Sequence, residues 1–179
     1  QALEKLSASF DTVYFIPGNH DLYYRDRRDI HSVEWAKHLP NVQIVNDFFS
    51  QGDVVIAPWL VQDDYKKVQK LSGKYLFGHF ELPRFYMNAM VEMPDHGEIK
   101  VDSFNGFESV FSGHFHLRQQ KKNVHYIGNC FPHNFADAGD DHQHDGRETI
   151  HGEVDADIER AGFDPGEVVL GMRFFEAAR

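Results

Sequence analysis

The sequence predicts an α/β fold built on short buried strands whose C-terminal ends carry polar loops. Two apolar runs, Val13–Ile16 and Tyr75–Phe77, have the length and continuity of strands covered on both faces, and Glu108–Phe111 repeats the pattern. Each run leads directly into a loop bearing Gly and His: Pro17-Gly18-Asn19-His20-Asp21, Gly78-His79, and Ser112-Gly113-His114-Phe115-His116. Helix-compatible stretches lie between them, and no repeat at solenoid spacing is present. In open α/β sheets the carboxyl edge of the strands is where sites gather.

The remaining elements follow in order. Leu3 and Leu6 stand at helical spacing, so Ala2 to Ser9 reads as the last turns of a helix. A helix is expected near Ile30 to Leu39, with Val33, Trp35, Ala36 and Leu39 available for packing and Pro40-Asn41 closing it. Val42–Val45 and Val54–Ala57 read as strands. Tyr65–Leu71 reads as a short helix ending at Gly73. Gln119–Asn123 reads as a polar turn before a strand over Val124–Ile127, and Val168–Phe175 can make one more strand.

Composition bounds the function. The chain has 179 residues, 41% hydrophobic and 14% aromatic, which is enough for a folded domain with a real core. Cys130 is the single cysteine, which excludes an intrachain disulfide and a zinc knuckle and fits a reducing compartment. No apolar run is long enough to cross a membrane and Gln1–Phe10 has no signal-peptide core, so the expected location is the cytoplasm. The net charge of -10 divides unevenly: residues 1–136 carry -2, and residues 137–179, with 4 basic against 12 acidic side chains, carry -8. A near-neutral body does not grip duplex DNA by charge alone, although metal ions can hold phosphate without it. The expected organisation is a domain over 1–136 followed by an acidic segment over 137–179.

The chemistry is carried by the histidines. Imidazole suits Zn, Mn, Fe and Ni, and a carboxamide oxygen such as that of Asn19 is a harder ligand. A glycine before each histidine allows the sharp turn that points a ring back at a shared centre. His114 and His116 stand at i and i+2; on a continuing strand they share a face, and in a loop they can reach two adjacent ions. A lone loop histidine is ordinarily solvated or bonded to backbone, and that is the reading for His31, His38, His96, His125 and His133. His142 and His144 read as solvent-exposed in an acidic loop. Gly-Asn-His, Gly-His and Gly-His-x-His, each closing an apolar strand, form a set that this ordinary reading does not explain.

With those residues in view, the sequence resembles the calcineurin-like metallophosphoesterases. YFIPGNHD is similar to the third motif of that family, YLFGH to the fourth and VFSGHFH to the fifth. From Val13 to about Asn129 the chain looks more specifically like nuclease subunits of the SbcD type, in the short versions encoded by tailed phages. GNHDLYY, Ile56–Trp59, FGHFEL, SGHFH and VHYIGN carry that likeness. The resemblance implies an α/β fold of the metallophosphoesterase type, a β-sandwich flanked by helices. It implies two divalent metal ions, Mn²⁺ or alternatively Fe or Zn²⁺, with Asn19, His79 and His114 on one ion and His116 on the other. His20 then contacts the phosphate and protonates the leaving oxygen, while Asp21 orients the loop or serves as a turn residue. DNA is the implied substrate, a coiled-coil ATPase subunit an implied partner, and a homodimer an implied assembly.

The chain departs from the family's pattern at both ends. The family places Asp-x-His and Gly-Asp-x-x-Asp on two upstream strands, and neither motif stands before Val13; the domain is expected to be N-terminally incomplete. Asp140-Asp141-His142 matches Asp-x-His literally but follows no apolar strand, and reads as chance. One ion therefore keeps three protein ligands and the other keeps His116, with an apolar sheet edge expected to lie uncovered. The reading is a two-metal phosphoesterase, a DNA exo/endonuclease subunit. Another phosphatase or phosphodiesterase of the superfamily, and a non-catalytic fragment, stand as alternatives.

Overall fold

A computed structural model of the chain describes residues 2–88, 91–97, 99–128 and 168–172. Helix α1 (Ala2–Ser9) leads into β1 (Thr12–Ile16), and a 3-10 helix (Glu34–His38) precedes β2 (Val42–Ile44). Strands β3 (Phe49–Gln51) and β4 (Val54–Ile56), helix α2 (Asp64–Val68) and β5 (Gly73–His79) follow. Then come the hairpin strands β6 (Tyr86–Asn88) and β7 (Val91–Glu92), a 3-10 helix (Val101–Phe104), and β8 (Phe107–Gly113). Strands β9 (Gln119–Lys121), β10 (Val124–Tyr126) and β11 (Val168–Met172) complete the described elements.

Two sheets stack face to face. The smaller has the order β11-β1-β2 and the larger β3-β4-β5-β8-β10-β9. In the larger, β4, β5, β8 and β10 run parallel, and the antiparallel strands β3 and β9 close its edges. Period-two alternation makes the layers. In β1, Tyr14 and Ile16 face the larger sheet and pack with Val54, Ile56, Tyr75, Phe77 and Phe111. Val13 and Phe15 face the other way, against Leu3 of α1 and against Val33, Ala36 and Val42. Leu76, Val110, Val124 and Tyr126 line the far face of the larger sheet with Phe80, Phe85 and Phe104. The chain is thus mixed α/β, two sheets between helical covers, with short helices.

Several expectations need correction. No α-helix spans Ile30–Leu39; only Glu34–His38 turns, as a 3-10 helix. Residues ahead of it are committed elsewhere: Leu22 bridges to His31, the Tyr23 amide donates to the Ile30 carbonyl (3.1 Å), and the Ser32 amide donates to the Asp21 carbonyl (2.8 Å). Leu39, before Pro40, is already extended. Trp35 remains exposed rather than packed. Gly73 opens β5 instead of ending a helix, and α2 stops at Val68. Gln119–Lys121 is a strand, with the turn confined to Lys122 and Asn123; Lys122 has φ 53°, and Asn123 Nδ2 donates to the carbonyls of Phe104 (3.0 Å) and Phe107 (2.8 Å). Nor is the edge of β1 bare, because Val168–Met172 runs parallel along it, from Thr12 opposite Val168 to Ile16 opposite Met172. Arg173–Phe175, and most of the acidic segment over 137–179, lie outside the described residues.

Candidate metal centre

Three strand ends meet at one edge of the sandwich. Gly78 and His79 are the last residues of β5, and Gly113 is the last residue of β8, with His79 registered opposite Gly113. His79 follows Tyr75 and Phe77 in the alternation, so its ring leaves the larger sheet on the side facing β1. The loop after β1 arrives there: the nearest atoms to a Cβ built on Gly18 are Cε1 and Nε2 of His79, at 3.0 and 3.1 Å. At His114 the backbone leaves the strand with φ 90°, a conformation L-residues seldom adopt. His114 and His116 therefore lie beyond the strand and do not share a strand face.

The Asn19 carboxamide is the hub. Its Oδ1 lies 3.1 Å from His79 Nε2 and 3.3 Å from His114 Nδ1, and the two imidazole centroids are 5.2 Å apart. Donor atoms bound at about 2.0–2.2 Å to one tetrahedral ion stand roughly 3.3–3.6 Å apart; the contact to His114 meets that spacing and the contact to His79 is slightly shorter. Among the described residues no three His, Cys, Asp or Glu side chains form a metal-holding group; the third donor here is an amide. Burial holds His79 well below the ordinary imidazole range, reinforced by His114, His20 and His116. Burial likewise pushes His114 down to about 4, with the charges of His20 and His116 adding to it. Both rings are neutral near pH 7, the form that ligates metal.

His20 is exposed at the rim and His116 is partly buried, both near enough to disfavour charge on the two inner rings. Asp21 is buried and braces the loop. Its Oδ2 accepts the Gly18 amide (3.0 Å), its Oδ1 accepts the Ser32 hydroxyl (3.3 Å), and its own amide donates to the Gly18 carbonyl (3.0 Å).

Sequence reasoning missed the supports. The Trp59 ring lies 5.7 Å from that of His79 and 5.4 Å from that of His114, packing beside both. Its backbone is held from the far side, where Arg28 Nη1 donates to the Trp59 carbonyl (2.8 Å) and pairs with buried Asp64, while Arg28 Nε donates to the Asn46 carbonyl (2.9 Å). The signal was there: Trp59 follows β4, a parallel neighbour of β5 that must end at the same edge. Glu81 Oε2 stands 3.9 Å from His114 Nε2, the nitrogen turned away from Asn19. The other histidines divide. His38 and His96 are exposed. His31 is buried rather than solvated, with Nε2 3.3 Å from both Glu34 Oε2 and Asn46 Nδ2. His125 is partly buried and stacks on Phe111. His133, His142, His144 and the Asp140–His142 triplet lie outside the described residues.

Comparison with known proteins adds one likeness. The chain is 31% identical over 128 residues to "Exonuclease subunit 1" of Enterobacteria phage T4. The match covers 65% of this chain and 36% of the relative, so the chain spans about a third of that protein's length. No protein-family model and no solved structure matches the chain.

Proposed function

We propose that this chain forms part of a two-metal phosphoesterase centre that hydrolyses phosphodiester bonds of DNA, in an exo/endonuclease subunit of the phage type. The observation that carries the reading is the convergence of Asn19, His79 and His114 on one point from three strand ends. The likeness to a phage exonuclease subunit supports DNA as the substrate, and its description as a subunit supports a partner, proposed here as a coiled-coil ATPase.

In this reading Asn19, His79 and His114 hold one ion, and His116 reaches a second. Divalent ions held there would supply Lewis-acid polarisation of the phosphate and a water of lowered pKa. The donor set, three nitrogens and an amide oxygen, favours Mn²⁺, Fe or Zn²⁺ over Mg²⁺. The chain's own residues do the rest. His79 and His114 stay unprotonated because burial disfavours their cations, so both keep a nitrogen lone pair near neutral pH. Asp21 fixes the loop that presents Asn19. His20, exposed at the rim, meets the substrate and gives its proton to the leaving oxygen. Trp59 packs beside the two inner imidazoles and limits their movement.

The test is titration of the 179-residue chain with Mn²⁺, followed by the loss of the free-ion electron paramagnetic resonance signal. One tight site is expected, lost in His79→Ala and in His114→Ala. Equal Mn²⁺ uptake by both variants and the parent would overturn the assignment. Activity is tested with the chain fused to upstream strands carrying Asp-x-His and Gly-Asp-x-x-Asp, where Mn²⁺-dependent degradation of linear DNA is expected.

A further inference from the structure

The loop that leaves the candidate metal centre carries two tyrosines whose rings stand outside the buried core. Tyr23 is 76% exposed and Tyr24 42% exposed, more than a folded chain usually leaves to large aromatic rings. They pack edge to face on each other, with centroids 4.8 Å apart, and the Arg27 guanidinium, which also pairs with Asp29, lies 4.9 Å from the Tyr24 ring centre. The loop beneath them is fixed. Leu22 bridges to His31, Tyr23 donates its amide to Ile30, and Gln62 Nε2 donates to the Asp26 carbonyl (3.2 Å). Arg28 ties the loop's return to the carbonyls of Asn46 and Trp59. Exposed rings on a pinned loop lose little entropy on binding, which suits them to recognition.

Taking the phosphodiesterase reading as its premise, we propose that Tyr23 and Tyr24, with Arg25 and Arg27, form a stacking platform for unpaired bases of a single DNA strand entering the site. Phenol and guanidinium planes stack on any base, so the contact needs no particular sequence. Position supports the assignment. Tyr23 is three residues beyond His20, a span of at most about 11 Å of chain, comparable to three stacked nucleotides at roughly 3.4 Å each. Composition supports it as well. Tyr23 to Asp29 is polar apart from the two rings, with Arg25 exposed and Arg27 held beside Tyr24 by Asp29, a setting that opposes an apolar protein partner.

The test uses the 179-residue chain with Mn²⁺ and a single-stranded oligodeoxynucleotide carrying 2-aminopurine near its end. Binding is expected to quench the fluorescence through stacking. Tyr23→Ala/Tyr24→Ala should abolish the quenching and weaken binding roughly tenfold or more. Tyr23→Phe/Tyr24→Phe should keep both, because the ring rather than the hydroxyl does the stacking. Thermal melting of the alanine variant should stay close to the parent, since neither ring belongs to the buried core. Quenching and affinity unchanged in the alanine variant overturn the platform. So does a change confined to self-association with DNA binding unmoved, which assigns the rings to a second copy of the chain. Mn²⁺ occupancy measured in the same samples keeps this inference apart from its premise: absent quenching with occupancy intact defeats the platform alone, and absent occupancy in every variant defeats the metal reading.

Discussion

Gly18 lies directly over the His79 ring, so close that a Cβ there would meet Cε1 at 3.0 Å and Nε2 at 3.1 Å. The loop that brings Asn19 to the centre packs against this ring without a side chain at residue 18. Gly18→Ala should displace the His79 ring by a few tenths of an ångström, because the new methyl group presses on its edge. Metal affinity should fall about tenfold or more, the scale seen when groups that orient a ligand are disturbed. The melting temperature should move little. Mn²⁺ titration beside a thermal melt checks both, and an alanine variant with parental affinity would show that the ring is not held by this contact.

Gly78 serves packing on the opposite face of the same strand. A Cβ built there would overlap the ring of Phe80, which is fully buried among Phe104, Tyr126 and their neighbours. Gly78→Ala should cost about 1–3 kcal/mol of stability, the usual penalty for overpacking a dense core. Phe80→Leu in the same chain should recover part of it by vacating the space. Urea denaturation of the two variants tests the pair, and additive losses would mean the methyl group is accommodated elsewhere.

The buried Arg28–Asp64 pair links the loop after His20 to the backbone of Trp59. Burial alone raises the Asp64 pKa, but its hydrogen bonds to Arg28 and Lys67 outweigh that, and the folded carboxyl lies below its ordinary value. The carboxylate therefore contributes stability that is fully present above the unfolded pKa of about 3.9 and is lost as pH falls through the folded value. Asp64→Asn should remove this acid-limb dependence. Arg28→Ala should cost about 1–3 kcal/mol, because it removes a charge-assisted hydrogen bond and leaves buried Asp64 with Lys67 as its remaining cationic partner. Denaturant melts at pH 7 and pH 3 measure both effects. Equal slopes with pH in parent and Asp64→Asn would place the acid lability elsewhere.

The sheets were legible because period-two alternation and continuous apolar runs survive in single strands: Val13–Ile16, Tyr75–Phe77 and Val124–Tyr126 all form. The loops bearing Asn19, His20, His79, His114 and His116 could be gathered from sequence because each closes or follows such a strand, whereas grouping Asn19, His79 and His114 as one ligand set rests on the family resemblance. What failed was local. The helix expected over Ile30–Leu39 lost to backbone bonds between residues 21–23 and 30–32, a pairing no helical periodicity reveals. The ring beside the histidines depends on Arg28 reaching Trp59 across 31 positions, a distance at which one sequence carries no signal. Likewise nothing in the composition of the acidic segment says that Val168–Met172 lies against β1.

The roles assigned to His20 and His79 separate by experiment, because one is proposed to move a proton and the other to hold an ion. In the chain fused to upstream strands carrying Asp-x-His and Gly-Asp-x-x-Asp, His79→Ala should lower Mn²⁺ occupancy and rate together. His20 is exposed, so His20→Ala should leave occupancy nearly intact. Its rate should still fall by roughly 10²–10⁴-fold, the contribution of a positioned general acid. That loss should shrink on bis-p-nitrophenyl phosphate, whose nitrophenolate departs without a proton, and stay full-sized on DNA, whose 3′-oxygen needs one. Metal analysis beside kinetics on the two substrates decides the matter. If His20→Ala strips the ion as thoroughly as His79→Ala does, His20 is a ligand, and the leaving oxygen takes its proton from another group.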